Sequence, residues 1–162
     1  MQGNTHMVGG ITASLAFAQI SNDNPLVLVG AGVIGALLPD ICHGGSKIGR
    51  KLPIISKIVN SLFGHRSFTH SLLFLFLIGM LLHTFIPYKS VTIGILLGMA
   101  SHVLLDMGTK KGVKLFFPVF ISVRLPLTTK TGSKVEKIVF TLLTMLSVFF
   151  SYEIIVQLLA TN

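Results

Sequence analysis

Residues 65–86 read HRSFTHSLLFLFLIGMLLHTFI. From Phe68 to Ile86 the run is apolar and approaches the ~20 residues that a helix needs to cross a bilayer. Ser67 is the expected N-cap, and Pro87 closes the helix. Four more apolar segments flank this one: Val8–Ile20, Leu26–Leu38, Val91–Met107 and Val135–Leu159. The chain is 51% hydrophobic and 11% charged, with a mean hydropathy of +0.81. Soluble domains carry about 25% charged residues. A chain this apolar cannot cover its surface with polar groups, so lipid is part of its solvent. The expected fold is all-α, a polytopic membrane bundle of four or five helices that forms one domain over residues 1–162.

Local signals refine the map. Val8–Ile20 is short for a full span, and a re-entrant or half-span helix is the alternative. Asn24 reads as the N-cap of the second segment, with Pro25 at its first helical position. Pro39-Asp40 ends that segment. In the polar loop that follows, Lys51–Phe63 fits a short amphipathic helix on the membrane surface. Gly94 and Gly98 stand at GxxxG spacing, which allows close helix approach. Cys42 is the single cysteine, which excludes an intrachain disulfide and a cysteine-cluster zinc site. No secretory signal is expected, because Met1 to His6 contain no Lys or Arg and the first apolar run has no clear cleavage pattern.

The formal net charge is +8, from 13 Lys+Arg against 5 Asp+Glu. Nucleic-acid binding is one source of such an excess. Here the basic residues sit between apolar segments, which fits cytoplasmic loops better and speaks against a nucleic-acid partner. Lys47, Arg50, Lys51, Lys57 and Arg66 precede the third segment. Lys110, Lys111, Lys114, Arg124, Lys130 and Lys134 separate the fourth from the fifth. Both loops fall on one side, expected to be the cytoplasmic face of a multi-pass cell-membrane protein.

The ionisable residues fall at the same level. His6 precedes the first segment. Asp40 and His43 end the second. His65 and His70 stand at the mouth of the third, and His102 and Asp106 lie in the last turns of the fourth. Ionisable groups at helix ends in a membrane are costly and mark functional sites. His102 and Asp106, four apart, share a helix face and suit a divalent ion such as Zn2+. A polar pair bonding to another helix would show the same spacing. His65 serves the same site as His70 only if it lies in a loop before Ser67. Otherwise His65 is a solvated interfacial residue and His70 a cap. Asp40 at a helix C-terminus opposes the helix dipole, which favours a functional role. Arg66 suits a phosphate oxygen or serves as a topology anchor. Cys42 is expected as a small buried filler or, beside Asp40 and His43, as a contact to the metal.

Thr5-His6, Gly35-Ala36-Leu37-Leu38-Pro39-Asp40, His65-Arg66-Ser67-Phe68-Thr69-His70-Ser71 and Ser101-His102-Val103-Leu104-Leu105-Asp106 together resemble the YdjM-like family of membrane-bound, metal-dependent hydrolases. The resemblance runs over about residues 5–120, and the His-Arg-x-x-Thr-His block is its most specific part. That family is distantly similar to the zinc-dependent phospholipase C superfamily. The resemblance implies that His6, Asp40, His65, His70, His102 and Asp106 are metal ligands for one or more divalent ions. It also implies that Asp40 helps to activate water. Relatives with this pattern carry a second acidic residue where this chain has Cys42.

The expected function is hydrolysis of a phosphoester in a phospholipid or another lipid-linked phosphate, with Asp40 as base and Arg66 or Lys110, Lys111 and Lys114 holding the phosphate. The bilayer and a phosphate-bearing lipid are the expected partners. The alternatives are a metal-binding transporter or channel, which needs a polar path from both sides, and a non-catalytic scaffold with a closed metal shell.

Overall fold

The computed structural model describes residues 1–64 and 66–160, the side chain of Leu158 excepted. Among the described residues there are seven α-helices and no strand: α1 (Gly3–Ala18), α2 (Pro25–Leu37), α3 (Lys47–Lys51), α4 (Pro53–Phe63), α5 (Leu72–Phe85), α6 (Lys89–Met107) and α7 (Lys134–Ala160). Two 3-10 turns, Leu38–Cys42 and Phe68–His70, complete them. The five apolar segments correspond to α1, α2, α5, α6 and α7. The short α3 and α4 lie in the polar loop, where α4 leaves Ile54, Ile55, Ile58 and Leu62 exposed. The fold is the expected all-α bundle.

Asn24 caps α2 as its sequence indicates, with Oδ1 accepting from the amides of Leu26 at 2.9 Å and Val27 at 3.3 Å. Two boundaries differ from expectation. The helix of the third segment begins at Leu72, because Ser71 rather than Ser67 accepts the capping bond, from Phe74 N at 3.2 Å. His70 therefore stands in a turn before the helix. At the other end of the chain, α1 begins before His6 rather than after it. Glu136 at the start of α7 explains the early start: its Oε1 accepts from Gln2 N at 2.5 Å and from the Thr5 hydroxyl at 2.9 Å. A carboxylate there satisfies first-turn donors and complements the helix dipole.

The centre of the bundle is α1, α2 and α6 packed together, with α7 along α1 and α5 against α6. Small residues set the α2–α6 distance. A Cβ on Gly98 would strike the Gly32 carbonyl, and one on Gly35 would strike the Ile95 carbonyl. Backbones in such contact gain dispersion that lipid cannot match. Pro25–Cys42, Lys89–Met107 and Lys134–Gln157 are long and apolar enough to cross a membrane. The 16 residues of α1 and 14 of α5 reach only about 24 and 21 Å, short of a hydrocarbon core of about 30 Å. Enclosure of α1 among α2, α6 and α7 compensates for its length.

The N-terminal ends of α1, α5 and α7 and the C-terminal ends of α2 and α6 meet at one end of the bundle. The two basic loops join there. Lys114 N donates to Arg66 O at 3.2 Å, and Leu72 N donates to Leu115 O at 3.0 Å. The stretch between α6 and α7 folds back on itself through Lys110 N to Thr129 O at 3.1 Å and Val123 N to Val113 O at 2.8 Å.

Candidate metal centre

His102 and Asp106 sit one turn apart on α6, facing α2, and both are completely buried. The His102 ring is oriented from outside its own helix. Its Nδ1 lies 2.6 Å from the Ala36 carbonyl. A carbonyl has no proton to give, so Nδ1 carries it and Nε2 presents a lone pair to the interior. The close α2–α6 packing makes this bond possible.

His70 reaches the same point from the turn before α5, and it too is completely buried. Its Nδ1 is 3.1 Å from the Thr69 hydroxyl. That hydroxyl donates to Cys42 Sγ at 3.3 Å, and Cys42 Sγ lies 3.5 Å from the Pro39 carbonyl. The Thr69 oxygen is thereby left to accept from His70 Nδ1, which again turns Nε2 inward. Burial lowers the proton affinity of His70, but Asp106 and Cys42 outweigh it and raise its pKa above the ordinary histidine value. Surroundings that attract a proton to this lone pair also attract a cation, and the two compete for it.

The 3-10 turn after α2 brings in Asp40. The inward donors are now His70 Nε2, His102 Nε2, Asp40 Oδ1 and Asp106 Oδ2. The two imidazole nitrogens are 3.2 Å apart. Asp106 Oδ2 lies 3.5 Å from His70 Nε2 and 3.8 Å from His102 Nε2. Asp40 Oδ1 lies 3.8 Å and 3.7 Å from the same two nitrogens. Ligands about 2.0–2.2 Å from one tetrahedral ion lie about 3.3–3.6 Å from each other, so His70, His102 and Asp106, with donor atoms 3.2–3.8 Å apart, are close to part of a coordination shell. His70, His102 and Asp106 form one donor group, and His6, Asp40 and His102 form a second that shares His102.

His6 stacks on His102 with ring centroids 3.6 Å apart and an interplanar angle of 13°. Its Nε2 is 3.4 Å from Asp106 Oδ1. Both ring nitrogens of His6 are buried without a hydrogen-bond partner. Leaving such groups unsatisfied is costly, and a cation would satisfy Nε2. The donor chemistry, neutral imidazole with carboxylate, suits Zn2+ or a similar divalent ion.

Arg66 occupies a different place from a free phosphate clamp. Its Nη2 donates to Asp106 Oδ1 at 3.0 Å and lies 2.9 Å from Oδ2, and its Nη1 donates to the Thr109 hydroxyl at 2.8 Å. Arg66 has a φ of 60°, a left-handed backbone that is uncommon outside glycine. The Met1 nitrogen also contacts Asp106 Oδ1. Arg66 therefore fixes Asp106, while Glu136 fixes the helix that carries His6. His65 lies outside the described residues. His43 is exposed and lines the mouth of the site. Cys42 is buried, as expected of a filler, and in addition supports Thr69.

Of His6, Asp40, His70, His102 and Asp106, Asp40 is the one in contact with solvent, with 15% of its side chain exposed. It borders a cavity of about 440 Å3 whose walls include His43, Arg66, Lys110, Lys111 and Lys130. The sequence reading brings His6, Asp40, His65, His70, His102 and Asp106 to one place; the structure brings together the five that are described, and His65 lies outside the described residues. The sequence reading misses Glu136, Thr69, Thr109 and Lys130. Of these, Glu136 carries a signal as an acidic residue entering an apolar helix, and Thr69 as part of the His-Arg-x-x-Thr-His block.

No solved structure matches the chain. The uncharacterized protein YvsG of Bacillus subtilis (strain 168) is 50% identical over 152 residues, covering 94% of this chain and 95% of that one. The inner membrane protein YdjM of Escherichia coli (strain K12) is 37% identical over 134 residues, covering 78% and 68%. Residues 1–161 match the family described as YdjM inner membrane protein, and with that match over nearly its whole length the chain belongs to the YdjM inner membrane protein family.

Proposed function

We propose that this membrane protein is a metal-dependent hydrolase that acts on a phosphoester of a lipid at the cytoplasmic face. The observation that carries the reading is the asymmetry of the donor cluster. His70, His102 and Asp106 are sealed, whereas Asp40 opens into a cavity walled by lysines. A structural metal needs no such opening.

A divalent ion in this cluster, Zn2+ by donor chemistry, supplies a Lewis acid for the phosphoryl oxygen and lowers the pKa of water. The chain provides the rest. Ala36 and Thr69 hold the two imidazoles in the tautomers that face inward. Arg66 neutralises one side of Asp106 and keeps its carboxylate in place. Asp40, at the wet edge, is placed to accept a proton from attacking water. Lys110, Lys111 and Lys130 draw an anionic headgroup into the cavity. The excess of basic residues in the loops at this end supports a cytoplasmic orientation. A transporter reading finds less support, since the layer beneath the cluster is filled by Met99, Ala31, Ile95 and Leu28, all buried and apolar.

Asp40→Asn keeps the shape of the side chain and removes its charge. Turnover of a phospholipid or lipid phosphate should fall about 10²–10⁴-fold, with metal content measured in the same samples. Metal retained with activity lost assigns Asp40 to proton transfer, and loss of both assigns it as a ligand. No phosphoester hydrolysis by metal-loaded wild type would end the hydrolase reading.

A further inference from the structure

A groove of about 630 Å3 runs between α1, α2 and α3. Met7, Ile34, Leu37 and Ile48 form its apolar wall, and Lys47, Arg50 and Lys51 provide its cations. Its lining contains no acidic residue. Ile34 is 57% exposed on a helix long and apolar enough to span, so this wall faces hydrocarbon. The cations stand where α2 has ended, at headgroup level. Apolar wall and basic rim together match an amphiphile with an anionic head. A soluble phosphate would gain nothing from the wall.

The basic residues are not loosely placed. A Cβ on Gly49 would strike the His43 carbonyl, so α3 lies directly on the turn after α2. The Ser46 hydroxyl donates to the Asp40 carbonyl at 2.8 Å and accepts from Gly49 N at 2.9 Å. Lys47 Nζ donates to Asn4 Oδ1 at 2.7 Å. One hydroxyl thus couples the position of α3 to the backbone of Asp40. A further cavity of about 340 Å3 shares Leu37, Lys47, Ile48 and Arg50 with the groove, and Asp40 and His43 with the cavity over the metal centre. The groove and the two cavities are therefore neighbours, each sharing wall residues with the next.

We infer that this groove is the binding site for one anionic glycerophospholipid from the surrounding leaflet, with an acyl chain along Ile34 and Ile48 and its phosphate at Lys47 and Arg50. The assignment rests on the hydrolase reading for the direction of the headgroup, toward Asp40. Occupancy of the groove itself requires neither metal nor turnover.

The test uses the full chain in neutral detergent, with phosphatidylglycerol as probe and native mass spectrometry as readout. Wild type should retain one phosphatidylglycerol, and glycerol 3-phosphate should not displace it. Replacing both cations in the Lys47→Gln, Arg50→Gln double variant should weaken retention roughly 30-fold, from about a fivefold loss per basic residue at a charged lipid surface. Ile48→Gln, which alters only the apolar wall, should weaken it too. Equal retention by wild type and the double variant overturns the site, as does displacement by glycerol 3-phosphate at concentrations matching the lipid. Metal content in the same samples separates the two readings. Lipid retained by a protein that takes up no metal leaves the groove standing and removes the hydrolase, whereas metal taken up with no lipid difference between variants does the reverse.

Discussion

Helices α5 and α6 are both apolar, both end at the metal centre and lie against each other, yet they do opposite work. Seven residues of α6 are buried, among them Gly94, Gly98, His102 and Asp106. No residue of α5 is buried, and Phe76, Met80 and Phe85 are among its exposed side chains. Hydropathy ranks α5 above α6, because a helix that faces lipid needs few polar residues, and in α5 they are confined to His83 and Thr84 near its far end. The helix that holds the chemistry is diluted by small and polar residues, since it must approach another backbone and supply ligands. In a membrane the less hydrophobic helix is therefore the informative one.

The sharpest way to break this contrast is to add volume to each helix. Gly98→Val pushes side-chain atoms into the α2 backbone. It should cost about 3 kcal/mol or more, at or beyond the upper end of overpacking, and appear as loss of monodisperse protein on size exclusion. The matching Gly79→Ala change on α5 meets only Leu96 side-chain atoms at 3.4 Å and 3.5 Å and should leave the thermal midpoint unchanged or raised. Equal tolerance at both positions would mean that α2 and α6 are not in close contact.

Removal of a ligand comes next. His102→Ala should abolish stoichiometric zinc in protein purified without added chelator, with affinity down more than about 100-fold, since loss of a mere outer-shell partner already costs 10–100-fold. Zinc bound at wild-type stoichiometry in this variant would remove the α6 pair from the site. Thr69→Val is milder. It deprives His70 Nδ1 of its acceptor and should weaken metal affinity by about tenfold, as measured by competition with a chromophoric chelator. An unchanged constant would show that packing alone orients His70. The smallest effect belongs to Phe76→Ala on α5, where the thermal shift should stay within about 0.5 kcal/mol of wild type; a large loss would reveal a protein neighbour on that face.

Much of this was legible in the chain because bilayer physics is restrictive. Five apolar runs gave five helices, Asn24-Pro25 gave a helix start, and Gly94 with Gly98 marked the close seam. Placing alternating helix ends on one side brought His6, Asp40, His65, His70, His102 and Asp106 together, and all but His65, which lies outside the described residues, are found at one place. What stayed hidden depends on contacts distant in sequence. Nothing near Ser67 or Ser71 says which one caps α5; the Leu72 amide, bonded to Leu115 O, belongs to a partner far along the chain. The early start of α1 depends on Glu136, again remote. Arg66 has the same chemistry for a phosphate as for Asp106, and only the fold decides between them.

The bond between His102 Nδ1 and the Ala36 carbonyl has a practical side. It spans the seam between the two helices that define the bundle, so its proton is a built-in ruler. An imidazole N–H this close to a carbonyl and shielded from water should exchange slowly and resonate apart from the amide envelope. One resonance, in unlabelled side-chain terms, would then register the spacing of α2 and α6 in any detergent or lipid. Preparations in which the seam has loosened would be recognised before a single turnover is attempted.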